Sequence, residues 1–111
     1  MSALFEKLEA IGLDPLEYLS IAKTKAKQTG YNSDLLIFSN RKGKKLSYNG
    51  VHFGSSFNND FIIYSHLVSM GQISKEEADK HRYSYLARAS RIKGNWKMRL
   101  SANSLSMSIL W

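Results

Sequence analysis

The 111 residues include no cysteine and a single proline. Without thiols there is no disulfide, no thiolate metal site and no cysteine nucleophile, which removes whole classes of redox, zinc and protease chemistry. Long apolar runs are missing as well. The N-terminal "MSALFEKLEAIGLDP" carries Glu6, Lys7 and Glu9 among its apolar residues and reads as neither a signal peptide nor a membrane span, and the closing "SLSMSILW" is too short to cross a bilayer. No proline, glycine or glutamine tract marks a linker or a disordered tail. Acid is absent from the C-terminal stretch: no Asp or Glu follows Asp79, whereas seven bases do, Lys80, Arg82, Arg88, Arg91, Lys93, Lys97 and Arg99.

What is present suits a single domain over residues 1–111. At 43% apolar and 12% aromatic content, a chain of this length can bury a core without staples. The net charge of +7 is unevenly placed: residues 1–20 hold four acids against Lys7 alone, and a second basic cluster, "NRKGKK", contributes Arg41, Lys42, Lys44 and Lys45. Such asymmetry points to a negatively charged partner.

Local patterns predict an α+β fold. Leu4, Phe5, Leu8 and Ile11 recur at helical spacing behind Ser2 as cap, with Gly12 as the stop. Asp14, Pro15 and Glu17 make a capping-box start for a second helix running to Gly30, its apolar stripe being Leu16, Leu19, Ala22 and Ala26, with Lys23, Lys25 and Lys27 toward the C-terminal end of its dipole. "LLIF" (35–38), "KLSY" (45–48) and "VHF" (51–53) then read as short strands, the last two joined by Asn49-Gly50, the dipeptide suited to a two-residue hairpin. Asp60 caps "FIIYSHLVSMG", where Ile63, Leu67 and Met70 favour helix over strand. Ser74 and Glu77 form another capping box, and Gly94 ends a long helix with Ala78, Tyr85, Ala89 and Ile92 as its core stripe. In the tail, Leu105, Met107, Ile109 and Trp111 alternate as in a strand, while Asn103 could equally cap a short helix carrying Leu105, Ile109 and Leu110. The expected architecture is two N-terminal helices, a small antiparallel sheet and a long basic helix packed on it.

The weak catalytic candidates are His52 and Asp60. They lie eight residues apart across a turn in "VHFGSSFNNDFIIY", where a carboxylate could orient an imidazole. A hydrogen-bonded strand histidine beside a helix-capping aspartate accounts for the same residues without catalysis, and that reading is preferred. His52, His66 and His81 fall on separate elements without short-range ligand spacing, and Glu76, Glu77 and Asp79 stand at a helix start where dipole and capping already explain them, so no metal or other cofactor is expected. The stronger pattern is "RYSYLARASRIKGNWKMR", which interleaves bases with Tyr83, Tyr85 and Trp96, the mixture that lets cations meet phosphates while rings stack on bases. A solvated helix face with Tyr85 and Trp96 in the core accounts for it equally. The expected nucleic-acid contacts are Arg82, Arg88, Arg91, Lys93, Lys97 and Arg99, with Tyr83 or Trp96 stacking and Arg41, Lys42, Lys44 and Lys45 as a second cluster.

The ordered elements "HFG" (52–54), Asp60, "HRYSYLARAS" (81–90), "KGNW" (93–96) and "SANSLSMSILW" (101–111) resemble a family of small proteins of large DNA viruses and some phages. Its pattern is HFG, a nearby aspartate, R-x-x-Y-x-x-R, a tryptophan and a serine/asparagine segment ending in leucine-tryptophan. Arg82, Tyr85, Arg88, Trp96, Asn103, Leu110 and Trp111 fall on that pattern, which spans roughly residues 46–111. Ala89 stands where the family pattern has a histidine, which weakens a catalytic-histidine reading further. The resemblance implies a viral or phage origin and a place in the virion, and it carries no activity. It is also compatible with a structural framework in which Arg82 and Arg88 pair Asp60 or Asp79 internally. The expectation is thus a non-enzymatic basic protein binding the phosphate backbone of nucleic acid, in the virion or the host-cell interior, without a membrane. The alternatives are a capsid or scaffold adaptor contacting acidic virion protein, and a small nuclease built on His52 and Asp60.

Overall fold

The computed structural model describes residues 3–91 and 101–111. Helix α1 (Ala3–Ala10) buries Leu4 and Leu8, one turn apart, and the chain leaves it through Gly12 at φ 75°. The predicted cap Ser2 lies outside the described residues. Helix α2 (Pro15–Gln28) starts at Asp14, whose Oδ1 accepts the Leu16 N–H at 2.9 Å, with Pro15 in the first turn, where its missing N–H costs nothing.

The buried face of α2 keeps Ala22 and Ala26 of the predicted stripe, with Leu19 packed partly against the core, and departs from it at Leu16. Tyr18, Ala22 and Ala26 point inward, while Leu16 is 71% exposed. In the first turn the Tyr18 hydroxyl donates to the buried Asp60, so residue 18, not residue 16, meets the core. The helix ends at Gln28, two residues before the predicted Gly30, and the N–H of the capping Thr29 reaches the carbonyls of Lys25 and Ala26.

A 3-10 turn (Ser33–Leu35) leads into a three-stranded antiparallel sheet of order β1-β2-β3, with β1 Leu36–Phe38, β2 Lys44–Tyr48 and β3 Val51–Ser55. Asn49 and Gly50 both take positive φ, 48° and 86°, and set the register Tyr48↔Val51 and Leu46↔Phe53. Two successive positive φ values match the right-handed twist of the flanking strands. Leu36, Leu46, Tyr48 and Phe53 are buried together, whereas Ile37, pointing the other way from β1, is exposed.

Helix α3 (Phe61–Ser69) is the predicted helix. Asp60 Oδ1 accepts the Ile63 N–H at 2.9 Å, and Ile62 and Ile63 are buried. Met70, expected on the core stripe, is exposed just past the helix end. Helix α4 (Lys75–Arg91) begins at Ser74, whose Oγ accepts the Glu77 N–H at 3.0 Å, and it packs on α3 with Ala78 and Ala89 buried. The predicted stripe residue Ile92 and terminator Gly94 lie outside the described residues.

The tail takes the helical option. Ser101, rather than Asn103, caps α5 (Ala102–Leu105) by accepting the Ser104 N–H. A wider π-type turn over Ser106–Leu110 follows, closed by the Trp111 N–H on the Ser106 carbonyl. Asn103 instead donates to the Ala89 carbonyl of α4. Leu105, Ile109 and Leu110 enter the core, and this C-terminal segment contacts both α2 and β3, joining α4 to the sheet. The fold is α+β. Among the described residues no helix is long and apolar enough to cross a membrane.

Candidate functional site

Asp60 does more than cap α3. It is 1% exposed, and its Oδ2 accepts both the Tyr18 hydroxyl and Lys45 Nζ, the latter at 2.8 Å. With Oδ1 held by the Ile63 N–H, both carboxylate oxygens are engaged. This is the one salt bridge among the described residues. Burial pushes the Tyr18 phenol well above its usual range, and the Asp60 charge adds to that; burial also lowers the Lys45 ammonium, against the pull of Asp60.

His52 goes elsewhere. It projects from β3 opposite to Phe53, and its Nδ1 meets the Ser39 hydroxyl at 2.7 Å. The two weak catalytic candidates thus have separate partners: His52 ties β3 to the end of β1, and Asp60 ties α2, β2 and α3 together. His66 Nε2 lies 2.9 Å from the Ile11 carbonyl, and His81 stacks on Tyr64. No group of three or more His, Cys, Asp or Glu side chains among the described residues could hold a metal ion.

The basic residues divide sharply. Lys45, expected on a phosphate-facing turn, belongs to β2 and is 2% exposed in its pair with Asp60, because the strand runs on to Lys44 and turns residue 45 inward. Arg41, Lys42 and Lys44 are exposed. Arg82 does not pair Asp60 or Asp79: its Nε donates to the Trp111 carbonyl at 2.9 Å and its guanidinium lies 5.5 Å from the Phe61 ring centre, which makes it a brace for the C-terminal turn. Arg88 is exposed, with Nε directed at the Ser84 carbonyl of its own helix. Tyr83 is 71% exposed and shares a hollow with Glu76, Glu77, Asp79 and Lys80. Arg91 is the last residue of α4, and Lys93, Trp96, Lys97 and Arg99 lie outside the described residues.

Between the β3–α3 loop, α3, α4 and the C-terminal turn lies a cleft of about 870 Å³. Lys45 and Asp60 reach its floor. Lys44 from the sheet and Arg88 from α4 both line it, whereas Arg41 and Lys42 line a separate hollow beside α1. Four rings line it as well. His81 and Tyr64 stack at 4.3 Å between centres, Tyr64 and Trp111 approach at 6.0 Å, and Trp111 stacks on Tyr85 at 4.3 Å. Burial raises the Tyr85 phenol pKa, with a hydrogen bond to Ser106 opposing the shift. Asn58 and Asn59 line the same space.

Sequence reasoning noted Tyr85, Trp111 and Lys44 without placing them together, and it missed Tyr64 and His81 as site residues. The spacing of His81 and Tyr85, one turn apart on α4, was a usable signal. Nothing local announces that Tyr64 and Trp111 fill the gap between them. Chemically, the cleft combines cations, asparagines and ring faces above a carboxylate whose two oxygens both accept hydrogen bonds from within the fold, a lining able to bind a ligand.

Comparison with known protein families, with curated proteins and with solved structures finds no match to this chain.

Proposed function

We propose that this chain is a non-enzymatic nucleic-acid-binding protein of viral or phage origin, carried in the virion. The observation that supports it is the meeting of Lys44 and Arg88 at one cleft, with Arg41 and Lys42 exposed on the adjoining turn. None of these four has a salt-bridge partner among the described residues. Exposed cations without an ion-pair partner attract a polyanion over about 8–10 Å at ordinary ionic strength, and each phosphate they meet releases counterions.

The test is fluorescence anisotropy with a labelled oligonucleotide across a salt series. Affinity is expected to fall steeply between about 50 and about 200 mM salt, and the Lys44→Ala/Arg88→Ala protein should lose about one to two units of the log–log slope. Affinity indifferent to salt over that range would end the proposal.

A second reading, a capsid or scaffold adaptor, draws on the apolar side chains left outside the core, Leu16, Ile37 and Phe57. Cross-linking in purified particles separates the two: an adaptor links to coat protein whether or not the genome is present, whereas a genome binder loses its contacts when the genome is removed.

A further inference from the structure

We infer that the cleft seats an unpaired base of single-stranded nucleic acid, so that the protein prefers single strands to duplex. The inference rests on the nucleic-acid reading above and goes beyond it in naming the form of the ligand and the residues that take the base.

Three features of the cleft converge on this chemistry. First, its rings form a ladder, His81 on Tyr64, then Trp111 on Tyr85, contributed by α3, α4 and the C-terminal turn. His81 ends the ladder and is exposed, so a flat ring entering the cleft can continue the stack. Base–aromatic stacking is tolerant of sequence, since every base has a π-face.

Second, the polar groups beside the rings suit a base edge. The Asn58 and Asn59 side-chain amides have no hydrogen-bond partner among the described residues, and an amide supplies both a donor and an acceptor to a base. Third, Lys44 and Arg88 flank the same space, where the phosphates on either side of a seated base would lie. A volume of about 870 Å³ is within the range that encloses a small ligand.

Duplex cannot use these features. Its bases are paired and stacked within the helix, so a duplex can meet the basic rim through phosphates while the rings and amides remain unengaged. A single strand can do both, and the added stacking sets the preference.

The experiment uses the full chain and a single strand carrying 2-aminopurine, whose fluorescence drops when it stacks on a ring, alongside a duplex of the same sequence. Tighter binding of the single strand with quenching on saturation is expected. His81→Ala should weaken single-strand binding about 5-fold or more, the lower end of what one base–ring stack contributes, and reduce the quench, while leaving duplex binding as it was. Asn58→Ala, at an exposed position, removes an amide from the base edge without adding charge, so it should weaken single-strand binding and leave duplex binding as it was, and it keeps the test decisive should His81→Ala disturb the fold.

Equal affinity for strand and duplex, with the salt dependence intact, would overturn this inference and leave the basic-surface reading standing. Quenching lost in Tyr83→Ala but retained in His81→Ala would also overturn it, by placing the stack outside the cleft. Failure to bind either form would end both.

Discussion

Three donors converge on one carboxylate: the Tyr18 hydroxyl, the Lys45 ammonium and the Ile63 N–H all terminate on Asp60. Each comes from a different element, so a single buried residue sets the relation of α2, β2 and α3. A buried ion pair gives little net stability against an apolar replacement of the same shape, but removing one member leaves the other charge buried without compensation. Asp60→Asn is therefore expected to lower the unfolding free energy by about 3–5 kcal/mol. The Lys45→Met/Asp60→Asn double variant should lose clearly less than the sum of the two single losses, with a coupling of about 0.5–3 kcal/mol in urea unfolding. Strict additivity would mean that the pair does not hold the elements together. The same geometry makes Asp60 a poor general base, since it is buried and both of its oxygens already accept from within the fold.

Among elements, β3 and the C-terminal turn meet closely at Gly54. Gly54 stands at φ 80° opposite Lys45, and a Cβ there would come within 2.7 Å of Leu110 Cδ1 and 3.3 Å of Lys45 Cβ. Glycine is required twice over, for its backbone angle and for the space above it. Gly54→Ala should cost about 1–3 kcal/mol through overpacking alone, and the positive φ adds about 1 kcal/mol. Gly50 gives the comparison. Its φ is 86° and no atom lies within 4 Å of the added Cβ, so Gly50→Ala should carry only the backbone cost. Similar midpoints for the two variants in urea would show that Leu110 does not press on the strand. Because Leu110 precedes Trp111, a displaced turn would also move the ring that bridges Tyr64 and Tyr85 in the cleft.

For the whole molecule, buried titratable groups set how stability varies with pH. Burial brings the Lys25 ammonium down to about 8, with Asp60 opposing the shift and Arg82 adding to it. From about 8 up to the ordinary 10.5 the folded chain has shed this proton while the unfolded chain still holds it, so stability rises with pH through that window. The lowered Lys45 acts in the same sense. Tyr18 and Tyr85 act oppositely: above the ordinary 10.0 the unfolded chain ionises its tyrosines while the folded chain retains these protons, and stability falls. Urea midpoints are thus expected to climb from pH 7 to about pH 9–10 and decline beyond, with Lys25→Met flattening the climb. A steady fall from pH 7 upward would contradict the assignment.

Caps, hairpin and charge asymmetry were legible in the chain itself. Asp14, Asp60 and Ser74 accept N–H groups two or three residues ahead, and Asn49-Gly50 adopts its turn through its own φ preferences, so near neighbours decide these features. The run of bases after Asp79 likewise needs no fold to be seen. What only the tertiary structure decided is how the elements are rotated against one another. Local periodicity placed Leu16 inside and Lys45 on the surface; the Tyr18–Asp60–Lys45 contact reverses both, because a buried carboxylate must collect its donors wherever the chain brings them. The cleft is of the same kind. Tyr64, His81, Tyr85 and Trp111 are distant in the chain or lie on different elements, and no period along the sequence reports that three packed segments turn these rings toward Lys44 and Arg88.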